Sequence, residues 1–307
     1  MSIAQSRRAV VLSLTALTAA LALSGCTRKN ENGAGGGGGA ASGSASGAKF
    51  SGKTAITVKG SDTMVQLSQR WAEEFMKANA GKSIQVTGGG SGTGIAALIN
   101  GGTDVCNASR PMKDAEKNDV KAKRGADAVE TKVALDALAI YVNEKSKVTE
   151  IDLETLGKIY KGELTNWKDA GGPDHTITLY GRENNSGTYG YFKEHVLANK
   201  DFAAAVQTLA GTSAVANAVK GDEFGIGYGG IAYASGIRLL KVKKTKDSPA
   251  IEPKESTAID NTYPISRYLY VYTAGQPTGL VKDFIDFMVS DAGQKVVGDV
   301  GYFKLPK

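Results

Sequence analysis

Short stretches in which polar and apolar residues alternate are followed repeatedly by stretches in which apolar residues recur every three or four positions. The first pattern is typical of strands and the second of helices. Predicted strands cover residues 56–58, 84–87, 104–108, 135–142, 176–180, 224–230 and 263–272. Predicted helices begin near residues 64, 95, 111, 151, 189, 202 and 280. Strands and helices in alternation predict an α/β architecture with largely parallel sheets.

Residues 181–189 join one of these strands to a helix, with the sequence Gly-Arg-Glu-Asn-Asn-Ser-Gly-Thr-Tyr. Ser186 and Thr188 stand where a helix leaves backbone N–H groups unpaired. Gly187 lets a ligand approach the main chain, and Arg182 adds a fixed positive charge. These features favour an oxyanion-binding site. The alternative is an ordinary Ser/Thr helix cap beside a surface arginine.

The same arrangement of strand, glycine or serine, and helix start occurs three more times. The residues in these copies that could contact an anion are Ser61, Asp62, Thr63, Ser91, Ser109 and Arg110. Several hydroxyl groups at helix N-termini indicate one tetrahedral oxyanion that is held from several sides. We expect Arg110 and Arg182 to offset part of its charge.

The first 25 residues have the pattern of an export signal. Arg7 and Arg8 precede an uncharged apolar run at residues 9–23, which is shorter than the roughly 20 residues of a membrane span. Cys26 follows Leu-Ser-Gly, which resembles the lipobox of bacterial lipoproteins. That resemblance implies cleavage before Cys26 and a lipid anchor, including palmitate, on this cysteine. A plain secretory signal and twin-arginine export are the alternatives.

Residues 26–49 are rich in glycine, alanine, serine and asparagine and predict a flexible tether. Residues 50–307 then form the globular part. The whole chain has a formal charge of +6, and without the two arginines of the export signal the remainder has +4. A charge this mild does not indicate a nucleic-acid-binding face, so we expect no nucleic-acid partner.

The residue types that enzymes need are not arranged for catalysis. Cys106 lies in an apolar strand, which predicts a small buried hydrophobic residue and not a nucleophile. His175 and His195 have no cysteine or carboxylate at metal-ligand spacing. No Gly-x-Ser-x-Gly elbow precedes a histidine and an acid, and residues 88–94 lack the Gly-Lys-Ser/Thr of a nucleotide-binding loop. We therefore expect no enzyme, no metal and no cofactor.

Five segments occur here in the order seen in one bacterial family. They are residues 60–63, 90–94, 108–110, 156–160 with Trp167, and 182–188. On these segments the chain, over residues 54–307, resembles the PstS family, the phosphate-binding proteins of bacterial high-affinity phosphate ABC transporters. The resemblance implies a type II periplasmic-binding-protein fold, with two lobes, a ligand cleft between them and two crossover strands. The expected lobes are residues 50–138 plus 266–307, and residues 139–265.

The resemblance also implies a function. The protein would capture inorganic phosphate outside the cytoplasm and pass it to the permease subunits of an ABC transporter. It would be a monomer, anchored by lipid to a bacterial membrane, in the periplasm or at the cell surface. The residues that match the family's anion ligands are Ser61, Asp62, Thr63, Ser91, Ser109, Arg182, Ser186, Gly187 and Thr188.

The chain departs from the family pattern at one position. Some members carry an aspartate directly after the serine that matches Ser109, where it accepts the proton of hydrogen phosphate and excludes sulfate. That position is Arg110 here. We predict that Asp62 takes the acceptor role, because a carboxylate is favoured at a helix N-terminus.

Three other functions remain open on the sequence. The chain could bind another tetrahedral oxyanion, such as sulfate, molybdate or tungstate. A secreted phosphatase would need a metal cluster or an activated nucleophile. A signalling or adhesion lipoprotein could reuse the fold.

Overall fold

The alternating runs of the sequence form the strands of a mixed sheet in the computed structural model, which describes residues 53–306. The predicted export signal (1–25), Cys26 and the predicted tether (26–49) lie outside the described residues. The described strands are β1 Ala55–Gly60, β2 Ser83–Thr87, β3 Val105–Ala108, β4 Ala128–Val142, β5 Glu150–Asp152, β6 Thr178–Arg182, β7 Gln207–Leu209, β8 Gly225–Gly230, β9 Arg238–Leu239, β10 Lys241–Lys243 and β11 Ser266–Ala274.

Helices occupy most of the connections between strands. The α-helices of residues 53–306 are α1 Val65–Ala78, α2 Ser91–Ile99, α3 Asp114–Arg124, α4 Leu153–Lys161, α5 Gly187–His195, α6 Thr212–Gly221, α7 Glu255–Ile259, α8 Gly279–Val289 and α9 Asp291–Val300. The apolar spacing that predicted α1 places Leu67, Trp71 and Phe75 on its buried face.

The main sheet has the strand order β2-β1-β3-β11-β4-β8-β6-β7, and β9 also pairs with β4. Pairs that involve β1 with β2 or β3, and β6 with β7 or β8, are parallel. Pairs that involve β4 or β11 are antiparallel. The prediction of largely parallel sheets therefore needs a correction, because the two long strands run against their neighbours and make the sheet mixed.

Strand β4 links the two halves of this sheet. Its residues up to Ala137 pair with β11, and residues 138–142 pair with β8. The chain thus leaves the first half through β4 and returns to it through β11. Both strands were predicted from their long apolar runs, and residues 133–142 of β4 and 269–273 of β11 are buried, as such runs require.

Hydrophobic side chains collect in separate cores on the two halves. One set packs among β1, β3, β11, α1, α2, α8 and α9, and we call these elements with β2 and α3 the N-terminal lobe. A second set packs among β5, β6, β8, α4, α5 and α6, and we call these elements with β7 the central lobe. The fold is therefore the predicted α/β fold with two lobes.

Two further sequence predictions can be compared with the fold. The helix predicted near residues 202–209 is wrong. Phe202 packs against Tyr160 and Phe192, and Gln207–Leu209 pairs as β7 with the edge of β6, so tertiary contacts override the local helical spacing. Cys106 is fully buried in β3, which confirms the prediction of a small buried hydrophobic residue.

Candidate anion-binding site

Four helical segments begin close together, each after a strand that ends at the same edge of its lobe. They are a 3-10 helix at Asp62–Met64 and the α-helices α2, α5 and α6. Ligands of open α/β sheets bind outside the carboxyl ends of parallel strands. Helix N-termini also present unpaired N–H groups and a partial positive charge, both of which favour an anion.

A cluster of buried hydroxyl groups lies where these helices meet. Ser61 donates to Ser109 across 2.9 Å between their Oγ atoms, and the Oγ atoms of Ser91 and Ser109 are 3.3 Å apart. The Oγ1 atoms of Thr63 and Thr188 are 2.9 Å apart, and Thr188 Oγ1 lies 3.5 Å from Ser109 Oγ. Each of the five residues is at most 2% exposed. We call these five residues the hydroxyl cluster.

The hydroxyl cluster draws its members from both lobes. Thr188 lies in the first turn of α5, in the central lobe. The other four belong to the N-terminal lobe: Ser61 and Thr63 follow β1, Ser109 follows β3, and Ser91 is the first residue of α2. Positions that are far apart in the sequence therefore meet where the lobes face each other, as the four local motifs predicted.

Arg182 and Asp62 form an ion pair beside the cluster. Arg182 Nη2 donates to Asp62 Oδ2 at 2.7 Å, and its Nη1 donates to Thr212 Oγ1 at 2.8 Å. The other carboxylate oxygen of Asp62 accepts the backbone N–H of Gly89 at 2.7 Å. Burial lowers the pKa of the Arg182 guanidinium, and the Asp62 charge opposes this shift. An arginine keeps its charge in such a place because its ordinary pKa is very high.

The Nε of Arg182 is buried and has no hydrogen-bond partner among the described residues. Buried donors are normally paired with protein or water, and an unpaired one calls for an explanation. A guanidinium N–H beside hydroxyl groups and helix N-termini suits an anion oxygen.

Gly187 fits tightly against the cluster. A Cβ atom at this position would lie 2.2 Å from Ser91 Oγ and 2.7 Å from Ser109 Oγ, which is closer than real contacts allow. Ser186, directly before it, is buried, and its Oγ accepts the backbone N–H of Tyr189 at 3.3 Å as the N-cap of α5. The ordinary helix cap considered for Ser186 is therefore present.

Arg110 is a predicted site residue whose guanidinium is held by a partner outside the hydroxyl cluster. Its Nη1 and Nη2 donate to the two carboxylate oxygens of Glu116, at 2.8 and 2.7 Å. This hydrogen bond with Glu116 raises the pKa of Arg110. The guanidinium is thus held at the start of α3, and none of its hydrogen bonds within residues 53–306 reaches the hydroxyl cluster.

The structure adds a second arginine, which the sequence analysis did not assign. Arg267 in β11 donates through Nη2 to Thr188 Oγ1 at 3.1 Å and through Nη1 to the carbonyl of Ser109 at 3.0 Å. Its Nε donates to Asp136 Oδ2 in β4 at 2.9 Å, and Asp136 also accepts the N–H of Ile231. Both side chains are at most 1% exposed. Burial raises the pKa of Asp136, although the Arg267 charge opposes this.

Thr212 is another residue that the sequence analysis missed. It opens α6 directly after Gly211, and its Oγ1 lies 3.4 Å from Thr63 Oγ1. The signal was present, because β7, Gly211 and Thr212 repeat the strand, glycine and hydroxyl arrangement of the other motifs. The sequence analysis missed it because residues 202–209 were predicted as a helix, whereas Gln207–Leu209 form strand β7.

Two further findings concern residues 53–306. No group of three or more histidine, cysteine, aspartate or glutamate side chains there is placed to hold a metal ion. None of the helices in this part is both long enough and apolar enough to cross a membrane.

Comparison with known proteins identifies relatives of this chain. The family model described as PBP superfamily domain matches residues 38–292. The phosphate-binding protein PstS of Pseudomonas aeruginosa PAO1 is 34% identical over 264 residues, which are 80% of this chain and 82% of that protein. PstS of Staphylococcus saprophyticus is 37% identical, over 84% of this chain and 83% of that protein.

A solved structure gives the same result. A Clostridium perfringens substrate-binding protein, assigned to phosphate ABC transport and crystallised with bound phosphate, superposes with a TM-score of 0.74 at 27% identity. The match covers 82% of this chain and all of that chain. The chain therefore belongs to the PBP superfamily and, within it, to the PstS family of phosphate-binding proteins.

Proposed function

We propose that this protein captures inorganic phosphate outside the cytoplasm and delivers it to an ABC transporter for import. The observation that carries the proposal is the hydroxyl cluster, buried at converging helix N-termini beside Arg182. The relatives named phosphate-binding protein PstS support it. Capture requires no chemistry on the ligand, since dipoles and hydroxyl groups replace the water around the anion.

The proposed phosphate ligands are the predicted residues other than Arg110. Hydroxyl groups of the cluster and of Ser186 would donate to phosphate oxygens, the backbone at Gly187 allows close approach, and Arg182 Nε–H supplies a charged donor. Arg110 is withdrawn from this set because Glu116 occupies both ends of its guanidinium fork.

We retain Asp62 as the acceptor of the phosphate proton. Each of its oxygens accepts one hydrogen bond, from Gly89 or from Arg182, and a carboxylate oxygen has room for a second. Sulfate carries no proton at neutral pH. With sulfate bound, the second acceptor position on the Asp62 carboxylate would stay unpaired and would face another negative charge, which is costly in a buried site.

The charges around the site are balanced before an anion arrives. Arg182 is paired with Asp62, and Arg267 is paired with Asp136. Phosphate would therefore be held mainly by hydroxyl and N–H dipoles, with one charged donor at Arg182. Dipoles fixed by folding need little reorganisation, which favours an anion of the matching shape.

Lobe closure would complete capture and signal it. We propose that residues 50–138 plus 266–307 and residues 139–265 move as two lobes about β4 and β11. A membrane transporter can distinguish closed from open shapes of such a protein. Lipid on Cys26 and the tether at residues 26–49 would keep the protein, as a monomer, close to the permease subunits.

Isothermal titration of the ligand-stripped protein with phosphate tests the proposal, with a matched pair of arginine variants. Arg182→Met removes a charged donor and leaves Asp62 unpaired beside the anion, so we expect phosphate binding to weaken by at least about a hundredfold. Arg110→Gln removes an arginine held by Glu116, and we expect affinity within about twofold of the wild type. Equal losses in both variants, or no phosphate binding by the wild type, would refute the assignment.

A further inference from the structure

The loop before α5 meets the start of α2 through three hydrogen bonds, all made by Asn185. Its backbone carbonyl accepts the N–H of Gly92 at 2.8 Å. Its Nδ2 donates to the carbonyl of Gly89 at 3.0 Å and to Thr93 Oγ1 at 3.2 Å. Asn185 belongs to the central lobe and its three partners belong to the N-terminal lobe, so each bond crosses between the lobes.

The backbone on the N-terminal lobe is shaped to receive this loop. Gly90 has a φ of +89°, and a Cβ there would lie 2.6 Å from the carbonyl oxygen of Asn185. A Cβ on Gly92 would lie 3.2 Å from the same oxygen. Side chains at these two positions would push the Asn185 loop away from α2. The two glycines therefore let the backbone of residues 89–93 come close enough to Asn185 for its hydrogen bonds to form.

The contact lies on the solvent side of the hydroxyl cluster. In the sequence, Ser91 of the hydroxyl cluster lies between Gly89 and Thr93, the two acceptors of Asn185 Nδ2. Ser186 directly follows Asn185. Asn185 also lines an open cavity of about 390 Å³ together with Arg182 and Tyr189. Asn185 therefore lies between the buried cluster and the solvent, at the edge where the lobes would part.

We propose that Asn185 is a latch between the lobes and sets the lifetime of the closed, phosphate-loaded state. The proposal rests on the proposed phosphate capture and assigns Asn185 a positioning role without contact to the anion. Its bonds form only when the lobes approach, so they stabilise the closed state relative to the open one. They act on dissociation, because association is complete before the latch closes.

Stopped-flow measurement of phosphate association and dissociation on the whole chain tests the latch. For Asn185→Ala we expect dissociation to be about tenfold faster, equivalent to about 1.4 kcal/mol, with the association rate within about twofold. Asn184→Ala is the matched control, since the neighbouring Asn184 is exposed and its side chain makes no hydrogen bond to the other described residues. We expect both rates of this control to equal those of the wild type.

A double-mutant cycle with Thr93→Val identifies the bond itself. Because Thr93 Oγ1 is one of the two acceptors of Asn185 Nδ2, the effects of the two substitutions on the dissociation rate should combine to less than their sum. The melting temperature without phosphate should be the same in all variants, since the open state lacks these bonds. A general structural role would lower it instead.

The possible outcomes distinguish failure of the latch proposal from failure of the proposed phosphate capture. A wild type that binds phosphate, with Asn185→Ala dissociating at the same rate, would overturn the latch and leave phosphate capture intact. A wild type that binds no phosphate would overturn both. Strictly additive effects of Asn185→Ala and Thr93→Val would also count against the latch.

Discussion

Replacing Arg267 by methionine breaks an ion pair that is almost completely removed from water. The side chains of Arg267 and Asp136 are 1% and 0% exposed, and the guanidinium also holds Thr188 and the carbonyl of Ser109. Removing one partner of a buried pair leaves a buried charge uncompensated, which costs roughly 3–5 kcal/mol. We therefore expect Arg267→Met to lower the free energy of unfolding by about this amount at pH 8.

The loss should depend on pH, with a sign that follows from Asp136. Burial already raises the pKa of this carboxyl, and removing Arg267 removes the influence that opposes the shift. A folded-state pKa above the unfolded value means that the folded protein binds more protons, so stability falls as pH rises between the two values. The deficit of Arg267→Met relative to the wild type should thus grow by about 1.4 kcal/mol per pH unit while Asp136 is ionised only in the wild type.

Urea unfolding of the phosphate-free protein at pH 5 and pH 8 measures this deficit. The double variant Arg267→Met with Asp136→Leu is the control, because replacing a whole buried pair by apolar residues is close to neutral. We expect its stability to return to within about 1–3 kcal/mol of the wild type, because Thr188, the Ser109 carbonyl and the Ile231 N–H still lose a partner. Its phosphate affinity should stay at least about tenfold weaker because Thr188 has lost its charged donor. A deficit below about 1 kcal/mol at pH 8, or one equal at both pH values, would refute the reasoning.

Two substitutions test the rest of the site. Asp62→Asn should reduce the preference for phosphate over sulfate by at least about tenfold in competition binding, and an unchanged preference would show that another group accepts the proton. Gly187→Ala places a Cβ 2.2 Å from Ser91 Oγ, so phosphate affinity should fall by at least about a hundredfold while circular dichroism stays native. Affinity within about tenfold of the wild type would mean that α5 can shift to admit the methyl group.

Much of the site could be predicted because its parts are local. Ser61, Ser91 and Ser109 each follow a strand and stand at or near a turn that a short sequence pattern reveals. The pattern also predicted that Thr188 opens a helix. The sequence could not show that these residues meet in space. The alternation of strands and helices did favour a common location at the carboxyl ends of the parallel strands.

The charges of the site could not be predicted in the same way. Arg110 and Arg182 look alike in sequence, and the difference arises from Glu116, which lies six residues after Arg110 and occupies its guanidinium. Arg267 and Asp136 are 131 positions apart and meet only because β4 and β11 pair as antiparallel neighbours. Arg267 is the one charged residue of β11, and Asp136 is the one charged residue of the apolar run at residues 135–142. A lone charge in an apolar run is a signal in itself, because a buried charge needs a partner.

The most direct test of the account is a calorimetric titration of the ligand-stripped protein, at pH 8, with phosphate and separately with sulfate. We expect tight phosphate binding at one site and sulfate binding at least about a hundredfold weaker, because the site offers an acceptor that only a protonated anion can satisfy. Comparable binding of both anions, or binding of neither, would contradict phosphate capture.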